Sequence, residues 1–274
     1  MIIGLLFVGT AVAATVSAFA VFAKKQEEAA NPKGTAAQQQ AVASFPGAQP
    51  IPANKTRMRL LKDVDITGAR NVHGIPGSGL DTSGFDQKNI DAGQAGEKRL
   101  SQLIGSSDLL ASYASFWSLK ASDTLDTDVD CVLYANGVMW LLDAKNYAAK
   151  YNGQYVTGES VLTNDGSRGD AIATVDYHGT MIKSYNTSNN MRMAAEWYRK
   201  LFPGIDVRPL VLLCPTYDGS TYGIKAGTAW PGWVPVTQAD PFISELNEQS
   251  RGHWYNPSLR DLNVERVLMS LVKW

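Results

Sequence analysis

The chain has 274 residues, 45% hydrophobic and 19% charged, with a formal net charge of -1. That length allows one domain of roughly 180–220 residues plus appendages, and the near-neutral balance neither demands nor excludes nucleic acid, so a phosphate-binding face would be local rather than global. Only two cysteines occur, Cys131 and Cys214, each inside an apolar run, which supports neither a disulfide framework nor a cysteine-based zinc site and fits buried, reduced thiols in a cytosolic domain.

Residues 2–23 carry no charged side chain and as a helix would span about 30 Å of hydrocarbon. Gly9, Ala11, Ala13, Ala14 and Ser17 are mixed into the run, which suits a membrane helix. A cleavable signal peptide is the rival reading, because Ala18-Phe19-Ala20 resembles a small-x-small cleavage site; no basic residue precedes the apolar run, however. Lys24 and Lys25 follow directly, so the positive-inside bias predicts a single-pass membrane protein with its C-terminal domain in the cytoplasm. The expected organisation is a transmembrane anchor over 1–23, a flexible linker over 24–56, a lead-in segment over 57–90 and the functional domain over 91–274. The linker is rich in Ala, Gln, Pro and Gly and cannot bury enough surface to order itself.

Within the lead-in, residues 58–64 read as a short strand. Residues 74–84 are glycine-rich, but no Gly-Lys-[Ser/Thr] follows and no strand leads directly into them, so a plain loop is favoured over a phosphate cradle. Residues 91–104 read as a helix, with Gly93, Gly96 and Glu97 near its start and Leu100, Leu103 and Ile104 at helical spacing. Residues 109–121 read as a strand entering the next element.

That element spans residues 128–147. Two apolar runs flank Asn136-Gly137, and this pair between such runs predicts a hairpin with a type I′ turn, which needs φ > 0 at both central positions. If Ala135 faces Val138, paired residue numbers sum to 273. Asp130 then lies across from Asp143 and Asp128 from Lys145, with alternation placing all four on one face. Directly opposed Cβ atoms sit about 4.5–5.5 Å apart, close enough for two carboxylates to share one cation. Val132, Tyr134, Met139 and Leu141 share that face, and Val129, Cys131, Leu133, Trp140, Leu142 and Ala144 form the other. Strands apolar on both sides belong in a sheet covered on both faces. Opposed acids in such a place repel and lose hydration, a conflict that a divalent cation would resolve.

Beyond the hairpin, residues 151–157 suggest a further strand and 164–170 a polar loop. Residues 174–202 give the longest helical pattern, broken near Asn186 and ended by Pro203-Gly204. Residues 207–214 read as a buried strand, 233–237 as an edge strand because of Pro235, and 241–248 and 259–274 as helices. This order predicts an α/β (α+β) fold with one central mixed sheet flanked by helices.

Gly96-Glu97 on the leading helix, Asp128-Val-Asp130 opening one strand and Asp143-Ala-Lys145-Asn-Tyr147 ending the next resemble the NERD (nuclease-related domain) family of the PD-(D/E)XK, restriction-endonuclease-like nuclease superfamily. The resemblance covers residues 90–215. It implies a restriction-endonuclease-like core, with Asp130 as the metal-binding aspartate, Asp143 and Lys145 as the acid and lysine of the (D/E)xK element and Glu97 as the helix glutamate. Three positions depart from the pattern: aspartate replaces the usual glutamate at 143, Cys131 stands where a histidine often follows the aspartate, and the Asn-Pro-x-x-Gln helix entry is present only as residues 186–190, with the glutamine missing or replaced by Asn190.

The activity implied is phosphodiester hydrolysis. Asp130, Asp143, the Ala144 carbonyl and Glu97 would hold Mg²⁺ or Mn²⁺ through hard oxygen ligands, with Lys145 orienting the attacking water or stabilising developing negative charge. Nucleic acid, DNA in the first instance, is the expected partner, with the membrane reached through the N-terminal helix; no protein partner is identifiable. The alternative is a catalytically inactive NERD-like module binding nucleic acid or protein at the membrane. Asp128 reads as a solvated partner for Lys145, and Glu97 reads equally as a first-turn acid favoured by the helix dipole. His73, His178 and His253 show no ligand spacing. Trp230, Trp233, Trp254 and Trp274 read as packing groups, with Trp254-Tyr255 a place where bases could stack.

Overall fold

A computed structural model describes residues 65–79, 86–124, 128–147, 154–162, 168–175, 181–214, 223–224, 228–251 and 261–273. The first elements are β1 (Val72–His73) and α1 (Gln87–Gly105). Asp86 caps α1, its carboxylate accepting from the Asn89 amide at 2.9 Å, which satisfies one of the free donors at a helix start. The helix therefore begins at Gln87 rather than at residue 91. Gly96, Glu97, Leu100, Leu103 and Ile104 lie on its buried stripe.

The strand expected over 109–121 is divided. Leu109–Ser112 is a single helical turn, α2, closed by Tyr113 N–H on Leu109 O at 2.7 Å, and only Ala114–Lys120 forms the strand β2. The hairpin follows as expected: β3 (Asp128–Ala135) and β4 (Val138–Lys145) pair from Ala135↔Val138 through Cys131↔Leu142. Asn136 and Gly137 both take positive φ, 49° and 78°, as the type I′ turn requires. A Cβ at Gly137 would meet nothing within 4 Å among the described residues, so Gly137→Ala is expected to cost backbone strain alone, about 1 kcal/mol. In a thermal melt this is a drop of about 2–4 °C; an unchanged midpoint would show that the turn carries no such strain.

Three strands come next, β5 (Gln154–Leu162), β6 (Arg168–Val175) and β7 (Met181–Asn186), then α3 (Asn190–Leu201), β8 (Asp206–Leu213), β9 (Gly223–Ile224), β10 (Ala229–Trp230), β11 (Val234–Gln238), α4 (Ala239–Arg251) and α5 (Leu262–Leu271). Among the described residues the strands form two sheets rather than one. Seven run in the order β1-β2-β3-β4-β8-β11-β10, and four in the order β7-β6-β5-β9. The first is mixed, with β1/β2, β4/β8 and β8/β11 parallel and the remaining neighbours antiparallel.

Two expectations change here. Among the described residues of the long helical pattern, only Asn190–Leu201 is helix; residues 174–175 and 181–186 are strand, because β6 and β7 pair antiparallel with each other and tertiary pairing overrides a local pattern. The Pro235 strand is not an edge: β11 lies between β8 and β10. The proline is accommodated because β11 meets β8 only from Val236 onward. Pro209 in β8 has the same explanation, since there β8 has β4 alone for a neighbour.

The core is built on the large sheet. Phe116, Val132, Tyr134, Met139, Leu141 and Val211 are buried with Ala194, Ala195 and Tyr198 of α3 and Leu268 of α5. Trp140 meets Phe242 of α4 edge to face at 5.2 Å, and Leu133 and Leu142 are fully buried. Both faces of the hairpin are thus covered, as its composition predicts. All these elements belong to one compact unit, Pro52–Ile224 with Thr228–Trp274. The expected membrane anchor, the linker, residues 58–64, His178, His253, Trp254, Tyr255 and Trp274 lie outside the described residues. Among the described residues no helix is long and apolar enough to cross a membrane.

Candidate active site

The site lies where β3 begins and β4 ends, the open end of the Asn-Gly hairpin. Ladder pairing between the two strands stops at Cys131↔Leu142. One residue further, the Asp130 carboxylate enters the gap and accepts the Ala144 amide at 2.6 Å. The side chain thus takes the donor that a continued ladder would have used.

The neighbouring strand shows why the ladder is disturbed. Ser118 in β2 has φ +52° and is absent from the β2/β3 pairing, although its neighbours Trp117↔Cys131 and Leu119↔Val129 keep register across from Asp130. Its carbonyl turns to accept the Lys273 amide at 2.9 Å. The core cluster contains Ala114, Phe116, Val132 and Tyr134, but also Leu119 and Val129. The in-out alternation therefore shifts by one residue at Ser118 and Asp130. Strict alternation, which would place Asp128, Asp130, Asp143 and Lys145 on one face, fails at this kink.

Helix α1 supplies Glu97, and Gly96 lets it approach. A Cβ at Gly96 would stand 3.1 Å from the Asn146 amide nitrogen and 3.6 Å from the Ala144 carbonyl oxygen. The Asn146 side chain also donates to Ala92 O at 3.1 Å, fixing the helix against the end of β4. Glu97 is 1% exposed and accepts the Gly77 amide through Oε2 at 2.8 Å. The Lys145 carbonyl accepts from both Tyr147 N and Cys214 N at 2.8 Å, pinning the backbone beyond the site.

Lys145 pairs within its own strand: Nζ stands 2.6 Å from Asp143 Oδ1. The expected partnership with Asp128 across the hairpin is replaced by this contact. Lys145 keeps 30% of its side-chain exposure against 11% for Asp143, so the lysine forms the open edge. Tyr147 stacks on Tyr185 at 3.9 Å beside it.

The electrostatics are unbalanced. Burial, opposed by the Gly77 amide and reinforced by Asp128, pushes the Glu97 carboxyl up to about 8. Burial and the Glu97 and Asp143 charges raise Asp130 well above the carboxylate range. Asp128 is raised by burial too, with Lys273 acting against it, and its Oδ2 is buried with no hydrogen-bond partner among the described residues. Burial disfavours the Lys145 charge, but Asp143 and Asp130 outweigh it and hold the ammonium above its ordinary value.

Hard oxygen donors in the form of more carboxyls than one lysine can pair once they are ionised fit a divalent cation such as Mg²⁺ or Mn²⁺ in chemistry. Asp130, Asp143, Glu97 and the Ala144 carbonyl are the groups that would hold it. Among the described residues, no group of three or more His, Cys, Asp or Glu side chains stands in metal-holding geometry. In this arrangement Asp143 is engaged by Lys145 and Asp130 by the Ala144 amide.

The sequence reading missed Ser118 and the bearing of the glycine-rich loop on the acids. A positive φ at a serine inside a strand has no signature in the sequence. His73 is structural, stacked on Phe116 at 4.8 Å. Fold and site together define an α/β protein with an acid-and-lysine cluster at the open end of a central hairpin. Comparison with protein-family models, with curated proteins and with solved structures found no match to this chain.

Proposed function

We propose that this chain is a metal-dependent nuclease with a restriction-endonuclease-like core, of the kind its resemblance to the NERD family implies. Its substrate is nucleic acid, DNA in the first instance, met at a membrane to which residues 1–23 tether a cytoplasmic domain. The observation that carries the reading is the buried set Glu97, Asp130 and Asp143, three carboxyls gathered beside a single half-open Lys145 that pairs with Asp143 alone. Folding alone gives no reason to gather these charges, since each loses hydration and repels the others.

A divalent cation bound there supplies Lewis acidity and lowers the pKa of a bound water. The chain's own residues do the rest. Asp130 and Asp143 hold hard oxygen donors at fixed positions, with Asp130 turned toward β4 by its bond to the Ala144 amide. Lys145, at the open edge, offers its ammonium to a phosphate oxygen and stabilises charge that develops there. Glu97, with its carboxyl near 8, can hold or take a proton close to neutral pH.

The test is cleavage of end-labelled DNA and RNA, single- and double-stranded, by the full chain with Mg²⁺, with Mn²⁺ and with chelator. Cleavage with either ion and none in chelator is expected. Lys145→Ala is expected to lower the rate by roughly 10²-fold while Mn²⁺ still binds. One observation favours a second reading, an inactive binding module: the Lys145–Asp143 contact at 2.6 Å leaves that acid already neutralised. Metal-independent binding of nucleic acid without cleavage would establish it.

A further inference from the structure

The glycine-rich segment read as a plain loop lies against the acids. Gly77 N–H donates to Glu97 Oε2 at 2.8 Å, and Gly79 N–H donates to Ser118 Oγ at 3.2 Å. Ser118 Oγ–H in turn donates to Ile75 O at 3.2 Å. Ser118, fully buried at its positive φ, therefore holds the segment at both ends of a short arc. A non-glycine residue held at positive φ is uncommon and persists only where its surroundings over-determine it.

The glycines are needed for the approach. A Cβ at Gly74 would fall 2.5 Å from the Trp117 carbonyl oxygen, and one at Gly79 would overlap Asp128 Oδ2. Side chains of ordinary size would lift the segment off both β2 and Asp128. The segment thus closes the β2 flank of the acid cluster and leaves Lys145 as the exposed edge.

We propose that residues 74–79, clasped by Ser118, are a positioning strap for the candidate site, fixing Glu97 through the Gly77 amide and seating against Asp128. This rests on the reading of the site as a cation-binding one. Ser118 and Gly79 are positioning residues: neither is a ligand, and both act through Glu97 and Asp128. Groups that orient metal ligands from outside typically change metal affinity 10–100-fold when removed.

The experiment is calorimetric titration of the full chain with Mn²⁺, with a thermal melt of each variant. Ser118→Ala removes both hydroxyl bonds and is expected to weaken Mn²⁺ binding about tenfold. Gly79→Ala is expected to weaken it similarly, and to do so far less in an Asp128→Ala background, where the added methyl meets no carboxylate. Mn²⁺ affinity equal to the parent's in both folded single variants, whatever their melting points, would overturn the strap. So would an equal loss from Gly79→Ala in both backgrounds, which covers the case of a Ser118→Ala protein that does not fold. A parent chain that binds no Mn²⁺ would remove the reading of the site, and the strap with it.

Discussion

Asp130→Asn is expected to silence cleavage while making the metal-free protein more stable. Asp130 is 8% exposed, surrounded by Glu97 and Asp143, and raised well above the carboxylate range by burial first and those charges second. An amide in place of this ionisable carboxyl removes the desolvation and repulsion penalty that its burial carries, while the amide oxygen can still accept the Ala144 N–H now bound at 2.6 Å. The hydrogen bond weakens as its acceptor loses charge, so the net gain is on the order of 1–3 kcal/mol. The same change removes a hard anionic donor, and activity is expected to fall by roughly 10³-fold or more, about 4 kcal/mol of barrier. Asp130→Ala should behave otherwise, because it leaves the buried Ala144 amide unpaired at a cost of about 1–3 kcal/mol. Rates and denaturant midpoints of the two variants check both halves. An active Asp130→Asn protein, or one destabilised as much as Asp130→Ala, would refute this account of the residue.

Glu97 carries the second large effect, on stability against pH. Its carboxyl lies near 8 in the folded chain, against an ordinary value of 4.5, so the native state binds this proton more tightly than the unfolded state. Stability from this group is complete below about pH 4.5, is lost as pH rises toward 8, and changes no further above that. The loss for a shift of this size is on the order of 3–5 kcal/mol. Glu97→Gln retains an acceptor for the Gly77 amide and cannot ionise. The difference in midpoint between Glu97→Gln and the parent, measured in chelator, should therefore grow in the variant's favour from pH 4.5 to 8. Saturating Mg²⁺ should shrink the difference, since a bound cation favours the ionised carboxylate. A difference that is flat or falls with pH would show that Glu97 is ionised without penalty in the fold.

The hairpin was legible because its signals are local and of one kind. Asn136-Gly137 demands a type I′ turn, and the turn sets a register that pairing from Ala135↔Val138 to Cys131↔Leu142 follows. Burial on both faces follows from apolar residues at both parities. What escaped was non-local. Ser118 adopts its positive φ in company with bonds to Ile75, Gly79 and Lys273, residues far apart in the chain. The alternation breaks beside that kink, at Asp130, and Lys145 pairs with Asp143 rather than Asp128. Residues 181–186 became strand through pairing with β6, which a helical reading of one segment cannot anticipate. Gly96-Glu97, noted for its resemblance to a family pattern, has a physical cause: the glycine admits α1 to the backbone of residues 144–146, and the next residue is delivered to the acids.

The central claim is that the hairpin acids hold the cation on which activity depends. Titration of the full chain with Mn²⁺, beside Asp143→Ala, tests it most directly. We predict saturable binding in the parent that weakens by roughly 10²-fold or more in the variant, with nucleic-acid cleavage lost in parallel. Binding of equal strength in both proteins, or none in the parent, would contradict it.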